Sequence, residues 1–160
     1  MAIPVYLWLY EEEKRLLRGS VDTAGREGSI ELTGMQHDVF IPTDDATNMI
    51  TGTQQHEAYT FEKLIDSASP LLYKALTTGK TLAKAVFKFY RTNYNGLEEE
   101  YFTTTLESVR VCHIVPIMFD TKDPDFVKQG HIEHVGLRYE KIIWNYVDGN
   151  IQHTGSWQDH

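Results

Sequence analysis

One cysteine, Cys112, is all that the 160 residues hold. An internal disulfide framework is therefore impossible, as is a zinc site built on several thiolates. Cys112 itself reads as a small buried apolar side chain, and a lone thiol fits synthesis in a reducing compartment. Positive charge is short as well: 15 Lys and Arg stand against 23 Asp and Glu, a formal net charge of −8. A nucleic-acid binder needs a cationic surface to neutralise phosphates, and a membrane-surface protein needs basic clusters. The balance argues against both. Long apolar runs are missing, and no segment nears the ~20 apolar residues of a membrane span. The apolar opening is preceded by no Lys or Arg and followed by Glu11, Glu12 and Glu13, so it reads as a strand rather than a signal peptide.

What is present suits one β-rich domain. Hydrophobic residues make up 41% of the chain and aromatics 12%, too many for a disordered segment. The length fits a single folding unit, 1–160. Period-two alternation recurs along it. Residues 58–64 set Tyr59, Phe61 and Lys63 against Thr60, Glu62 and Leu64. Residues 81–91 set Ala85, Phe87 and Phe89 against Lys84, Val86 and Lys88. Residues 98–112 set Phe102, Thr104, Leu106 and Ser108 against Thr103, Thr105, Glu107 and Val109. Further strands are expected at 5–9, 29–40, 132–144 and 151–157, and residues 113–119 continue the 98–112 strand or start the next one across a bend. Asn95-Gly96 and Asp148-Gly149-Asn150 mark turns, and 120–130 reads as a polar loop. One helix is expected after Ser69 as N-cap and Pro70 in the first turn, with Leu72, Ala75 and Leu76 as its apolar stripe and Gly79 as its stop. About eight strands with turn punctuation predict a sandwich or barrel.

Residues 41–56 break the pattern. They hold Pro42, Asp44, Asp45, Asn48 and Gly52 with several threonines, a loop composition. Structureless loops of that length are uncommon and often functional; a disordered connection is the competing reading.

The chemical motifs are thin. Gly79-Lys80-Thr81 lacks the earlier glycine of a phosphate loop, since position 74 is Lys74. His131, Glu133 and His134 resemble a metal set, but strand residues three apart point to opposite faces. Glu98-Glu99-Glu100 reads as a solvated acidic edge, and no Gly-x-Ser-x-Gly nucleophile elbow occurs. The residues thus predict no catalytic site, no metal and no cofactor. They also predict open strand edges that must be covered or paired with another chain.

Several stretches, in order, carry a resemblance. They are Ile3-Pro4-Val5-Tyr6-Leu7-Trp8-Leu9, Gly25-Arg26-Glu27-Gly28-Ser29-Ile30-Glu31, Ile41-Pro42-Thr43-Asp44 with Thr51-Gly52-Thr53, Ser69-Pro70-Leu71-Leu72-Tyr73-Lys74-Ala75, and Leu137-Arg138-Tyr139-Glu140-Lys141-Ile142 followed by Trp144 and Val147-Asp148-Gly149-Asn150. Together they make the whole chain resemble the haemolysin-coregulated protein (Hcp) family, the tube subunit of the bacterial type VI secretion system. The resemblance implies a mainly β fold: a compact β-barrel of two packed sheets with one short flanking α-helix. It implies a non-enzymatic homo-hexamer whose stacked rings carry effector cargo in the lumen, inside a contractile sheath and behind a spike protein. No nucleic acid and no membrane insertion are expected. The protein would be cytoplasmic on synthesis and then secreted without a signal peptide, and the ending at His160 would be that of a plain tube subunit. The resemblance also implies that the loop bearing Pro42, Thr43, Asp44, Asp45, Asn48, Thr51, Gly52 and Thr53 stacks rings, and that Gln36 is a lumen-facing candidate. A phage-type tail-tube protein and a monomeric binding module on a β scaffold are the alternatives.

Overall fold

The elements follow the alternation, apart from a break at His37 and Asp38 in the strand expected at 29–40 and four further departures. A computed structural model describes residues 3–126 and 130–157; Met1, Ala2 and His160, and part of the expected loop at 120–130, lie outside these. The strands are β1 Val5–Glu12, β2 Arg15–Leu17, β3 Ile30–Gln36, β4 Val39–Phe40, β5 Gln55–His56, β6 Tyr59–Leu64, β7 Leu82–Thr92, β8 Glu98–Ile117, β9 Ile132–Arg138, β10 Lys141–Tyr146 and β11 Ile151–Ser156, with helix α1 Ser69–Thr78 between β6 and β7. The barrel closes through β8, β7, β1, β3, β6 and β9, each antiparallel to the next, and β9 returns to β8. Closure removes the edges of those six strands. β10 and β11 extend the ladder from β8, and β4 pairs β5 in a separate small sheet. The expected mainly β barrel with one short helix is therefore what forms.

The interior is apolar. Leu7, Leu9, Ile30, Phe87, Leu106 and Leu137 are all fully buried there, each contributing ~1.5–3 kcal/mol. The other face of β1 explains why its first six residues, Val5 to Tyr10, include no charged side chain. Lys88 Nζ lies 4.7 Å from the Trp8 ring centroid and Lys84 Nζ 4.8 Å from that of Tyr10. The Arg26 guanidinium sits 4.7 Å from Tyr6 and 3.9 Å from Tyr90. Aromatic faces here are covered by cations rather than by more core.

The first departure is in β8. Thr104 and Leu106 face the core as the alternation predicts, but so do Val109 and Val111. Ser108 carries a positive φ of 54°, and this left-handed residue reverses the facing of Val109 and Val111. The second is Cys112, which is exposed rather than buried. It lies where the β8–β9 register shifts between Val111 and His113, and a bulge leaves its extra residue outside the alternation. The third divides the expected strand at 132–144 into β9 and β10, with a bend at Tyr139 and Glu140. The fourth concerns the helix start: Ala68, not Ser69, is the N-cap residue. The Ser69 hydroxyl instead donates to Glu133 Oε1 at 2.7 Å and accepts from Lys63 Nζ at 3.0 Å. Gly79 ends the helix in the left-handed conformation at φ 66°, as its sequence position predicts.

The expected acidic edge is not bare either. Glu98 meets Arg26, Glu99 meets Arg91 and Glu100 meets Lys88.

Candidate functional site

Residues 41–56 are not a structureless loop. With β4 they form an arm. Val39 pairs His56 and Phe40 pairs Gln55, and farther out Thr43 bridges Ile50. The Thr51 amide donates to the Pro42 carbonyl at 2.9 Å, and the Asp44 amide to the Met49 carbonyl at 2.8 Å. The tip closes on Asp44: its carbonyl accepts the Asn48 amide at 2.7 Å and its carboxylate accepts the Ala46 amide at 2.8 Å. Asn48 adopts a positive φ of 60°, which asparagine tolerates better than most residues. Gly52 lies against the Pro42 ring, where a Cβ would come to 3.4 Å. Pro42, Thr43, Asp44, Asp45, Asn48, Thr51, Gly52 and Thr53 are thus gathered into one ordered hairpin.

The arm also carries apolar residues that its polar composition hid. Val39, Phe40 and Ile41 are exposed, and Met49 and Ile50 keep 65% and 66% of their surface in solvent. The sequence signal was the Met49-Ile50 pair inside a polar run.

At its root the arm is held by aromatic and imidazole rings. The Tyr139 hydroxyl lies 2.9 Å from His37 Nε2 and 2.6 Å from His56 Nδ1. His37 stacks on Tyr59 at 4.8 Å between centroids, and Tyr59 stacks on Phe87 in the core at 4.2 Å. Trp157 meets Tyr139 edge-on at 5.3 Å and lies 5.7 Å from His56. Burial, with the neighbouring His56, lowers the pKa of His37 below the ordinary histidine value. Burial likewise raises the Tyr139 and Tyr59 phenols, so both stay protonated. Nothing local in the sequence points to this cluster, because Tyr139 is 102 residues from His37.

Gln36 ends β3 beside the arm. It is exposed and pairs Thr60, whose hydroxyl donates to the Gln36 carbonyl at 3.0 Å. It borders a shallow depression lined by Met35, Phe61, Glu62 and His134. Two residues of the apparent metal set, Glu133 and His134, are neighbours on β9 and point to opposite faces. Glu133 is buried against Lys63, whereas His134 Nε2 lies 3.6 Å from Glu62 Oε2 on the other face.

Comparison with known proteins decides what this frame belongs to. The model of the family described as "Type VI secretion system effector, Hcp" matches residues 6–146. The chain belongs to the Hcp family of type VI secretion proteins. The "Major exported protein" of Pseudomonas aeruginosa is 31% identical across 99% of this chain and 97% of its own length. The solved Hcp1 of the E. coli EAEC 042 pathovar is 50% identical, covers 98% of this chain and 99% of its own, and superposes with a TM-score of 0.88. The secreted protein Hcp3 of Pseudomonas aeruginosa, 27% identical, covers 98% of this chain and 99% of its own with a TM-score of 0.77.

Proposed function

We propose that this Hcp-family protein is a tube subunit: one domain that forms hexameric rings, stacks them, and is expelled by a contractile sheath behind a spike with effectors in the lumen. The observation that carries the reading is the arm. A closed barrel offers few strand edges, yet this one holds an ordered hairpin with Met49 and Ile50 largely exposed at its end. Ring stacking would bury them. At ~25 cal/mol per Å² of apolar surface, and repeated at every subunit of a ring, even a small buried area per arm sums to a firm joint. Gln36, exposed beside the arm root, is proposed to face the lumen. Export follows the resemblance to a relative named for being exported.

Deleting residues 43–53 tests the reading. Rings should persist in sedimentation, while stacked tubes in electron micrographs should disappear. Tubes as long as those of the intact protein would remove the arm from the stacking joint. A protein that sediments only as a monomer at high micromolar concentration would overturn the tube assignment altogether.

A further inference from the structure

The arm meets the barrel through a hydrogen-bond arrangement that needs one of its two imidazoles to stay neutral. A tyrosine hydroxyl has one proton. Placed between two imidazole nitrogens, it donates to one and accepts from the other. His37 Nε2 and His56 Nδ1 flank the Tyr139 hydroxyl at 2.9 and 2.6 Å. One neutral imidazole must therefore present N–H to the oxygen and the other a bare lone pair. Protonating the second ring puts N–H on both sides. The phenolic proton then loses its acceptor, and the site is buried. We propose that His37, His56 and Tyr139 form an acid-released latch that fixes the β4–β5 arm to the barrel at neutral pH and frees it on acidification.

The surroundings bear on the charged state from each packed element. Arg138, next to Tyr139, lies 4.7 Å from the Trp157 ring, and that ring in turn packs on His56 and Tyr139. This cation acts on the Tyr139 phenol, whose ionised form it favours, and burial outweighs it there. Asp38 favours the charged form of His37, and its backbone carbonyl accepts the Glu57 amide at 2.9 Å across the arm root. Asp38, Glu57 and Glu140 are all exposed to solvent, which screens them. Tyr59 and Phe87 present only rings and a phenol that stays protonated. Burial and His56 dominate for His37, so the folded arm disfavours its charged form.

The sign follows. A histidine held neutral in the docked arm contributes stability that is complete above the ordinary value of ~6.5, and that stability is lost as pH falls through the lower, docked value. At pH 5.0 the bias toward the undocked arm reaches up to ~30-fold for an imidazole that must stay neutral.

Amide hydrogen exchange on the full-length protein at pH 7.5 and 5.0, corrected for intrinsic rates, reads the latch directly. Amides of residues 38–57 should lose protection by several-fold, up to ~30-fold, while those of β7 and β8 hold theirs. In the variant carrying His37→Gln with His56→Gln, the arm should show the same protection at both pH values. Unchanged wild-type protection at pH 5.0, or acid loosening that persists in the variant, would overturn the latch. Should the variant not fold, the wild-type imidazole signals followed by NMR decide it: titration near 6.5 with no change in the amides of 38–57 refutes the proposal. Sedimentation of the same samples separates this inference from the stacking reading. An arm that loosens while stacks persist upholds the latch and refutes stacking by the arm; stacks that fall apart while the arm stays protected do the reverse.

Discussion

Lys63 is fully buried, and its ammonium is the cation whose removal should be most damaging. It contacts Glu133 Oε1, Asp66 Oδ1 at 2.9 Å, Ser69 Oγ at 3.0 Å and the Leu64 carbonyl at 3.1 Å. Glu133 is 1% exposed, whereas the Asp66 side chain keeps 14% of its surface in water. The three carboxylate and ammonium groups are therefore unequal. Lys63→Met leaves two carboxylates facing one another, and that of Glu133 keeps the Ser69 hydroxyl as its one donor among the described residues. Stranding a buried charge costs ~3–5 kcal/mol. Glu133→Gln leaves the ammonium paired with Asp66 and replaces a charged acceptor by a neutral one, for ~1–3 kcal/mol. Lys63→Met combined with Glu133→Leu removes both charges and should recover most of the loss. Urea unfolding at one fixed protein concentration measures all three, since assembly ties apparent stability to concentration. Lys63→Met costing under ~1 kcal/mol, or a double variant no better than the single, would refute the reasoning. The network also binds β6 and β9 to the start of α1, so Lys63→Met should open helix amides to exchange before those of β7.

The remaining predictions test the departures and the cation-covered face. Ser108→Gly should leave stability unchanged or raise it, because glycine accepts the left-handed conformation, while Ser108→Val should cost ~1–3 kcal/mol in urea unfolding; equal costs would contradict the strand reversal there. Cys112→Ser should change stability by under ~0.5 kcal/mol in the same assay, as exposed positions do; a loss of several would return the thiol to the core. Arg26→Ala should cost ~1–2 kcal/mol in thermal unfolding, and Arg26→Lys should not restore it, since stacking on Tyr90 needs the planar guanidinium; full rescue by lysine would reduce the contact to charge alone.

The legible parts of the fold share one property: their cause is local. β6 and β7 alternate because one face is core, and Tyr59, Phe61 and Phe87 declare it. Gly79 stops the helix by its own backbone freedom, and Asn95-Gly96 turns the hairpin between β7 and β8. Lys63 sat on the apolar parity of β6 and yet is a core residue, because Glu133, seventy residues later, neutralises it. Ser69 has the composition of an N-cap, but Glu133 and Lys63 claim its hydroxyl. The left-handed Ser108 and the bulge at Cys112 have no composition that distinguishes them, because barrel geometry places them. In the candidate site, the turn chemistry of the arm was readable from Pro42, Asp44, Asn48 and Gly52. Its pairing was not, because β4 and β5 are two residues each and too short to show a period. The ring cluster at its root depends on residues that only the closed barrel brings together.

That closure and the anchoring of the arm meet at the same residues. β8 pairs β10 over Phe102–Glu107 and β9 over Arg110–Ile117. Glu107 faces Lys141 and Arg110 faces Arg138, so Ser108 and Val109 stand opposite Glu140 and Tyr139. The reversal in β8 thus meets the bend between β9 and β10. The Glu140 amide donates to the Glu107 carbonyl at 3.1 Å across this joint. Without the bend, the strand would alternate straight through, and Leu137, Tyr139 and Lys141 would share a face. With it, Leu137 and Ile142 both enter the core and Lys141 reaches solvent. Tyr139, at the corner, is buried with its hydroxyl between the two imidazoles of the arm root. Tyr139 thus keeps the core side of Leu137, and the change of facing falls after it, between Tyr139 and Ile142. The corner at which β8 changes partners is therefore also the place where the arm is held.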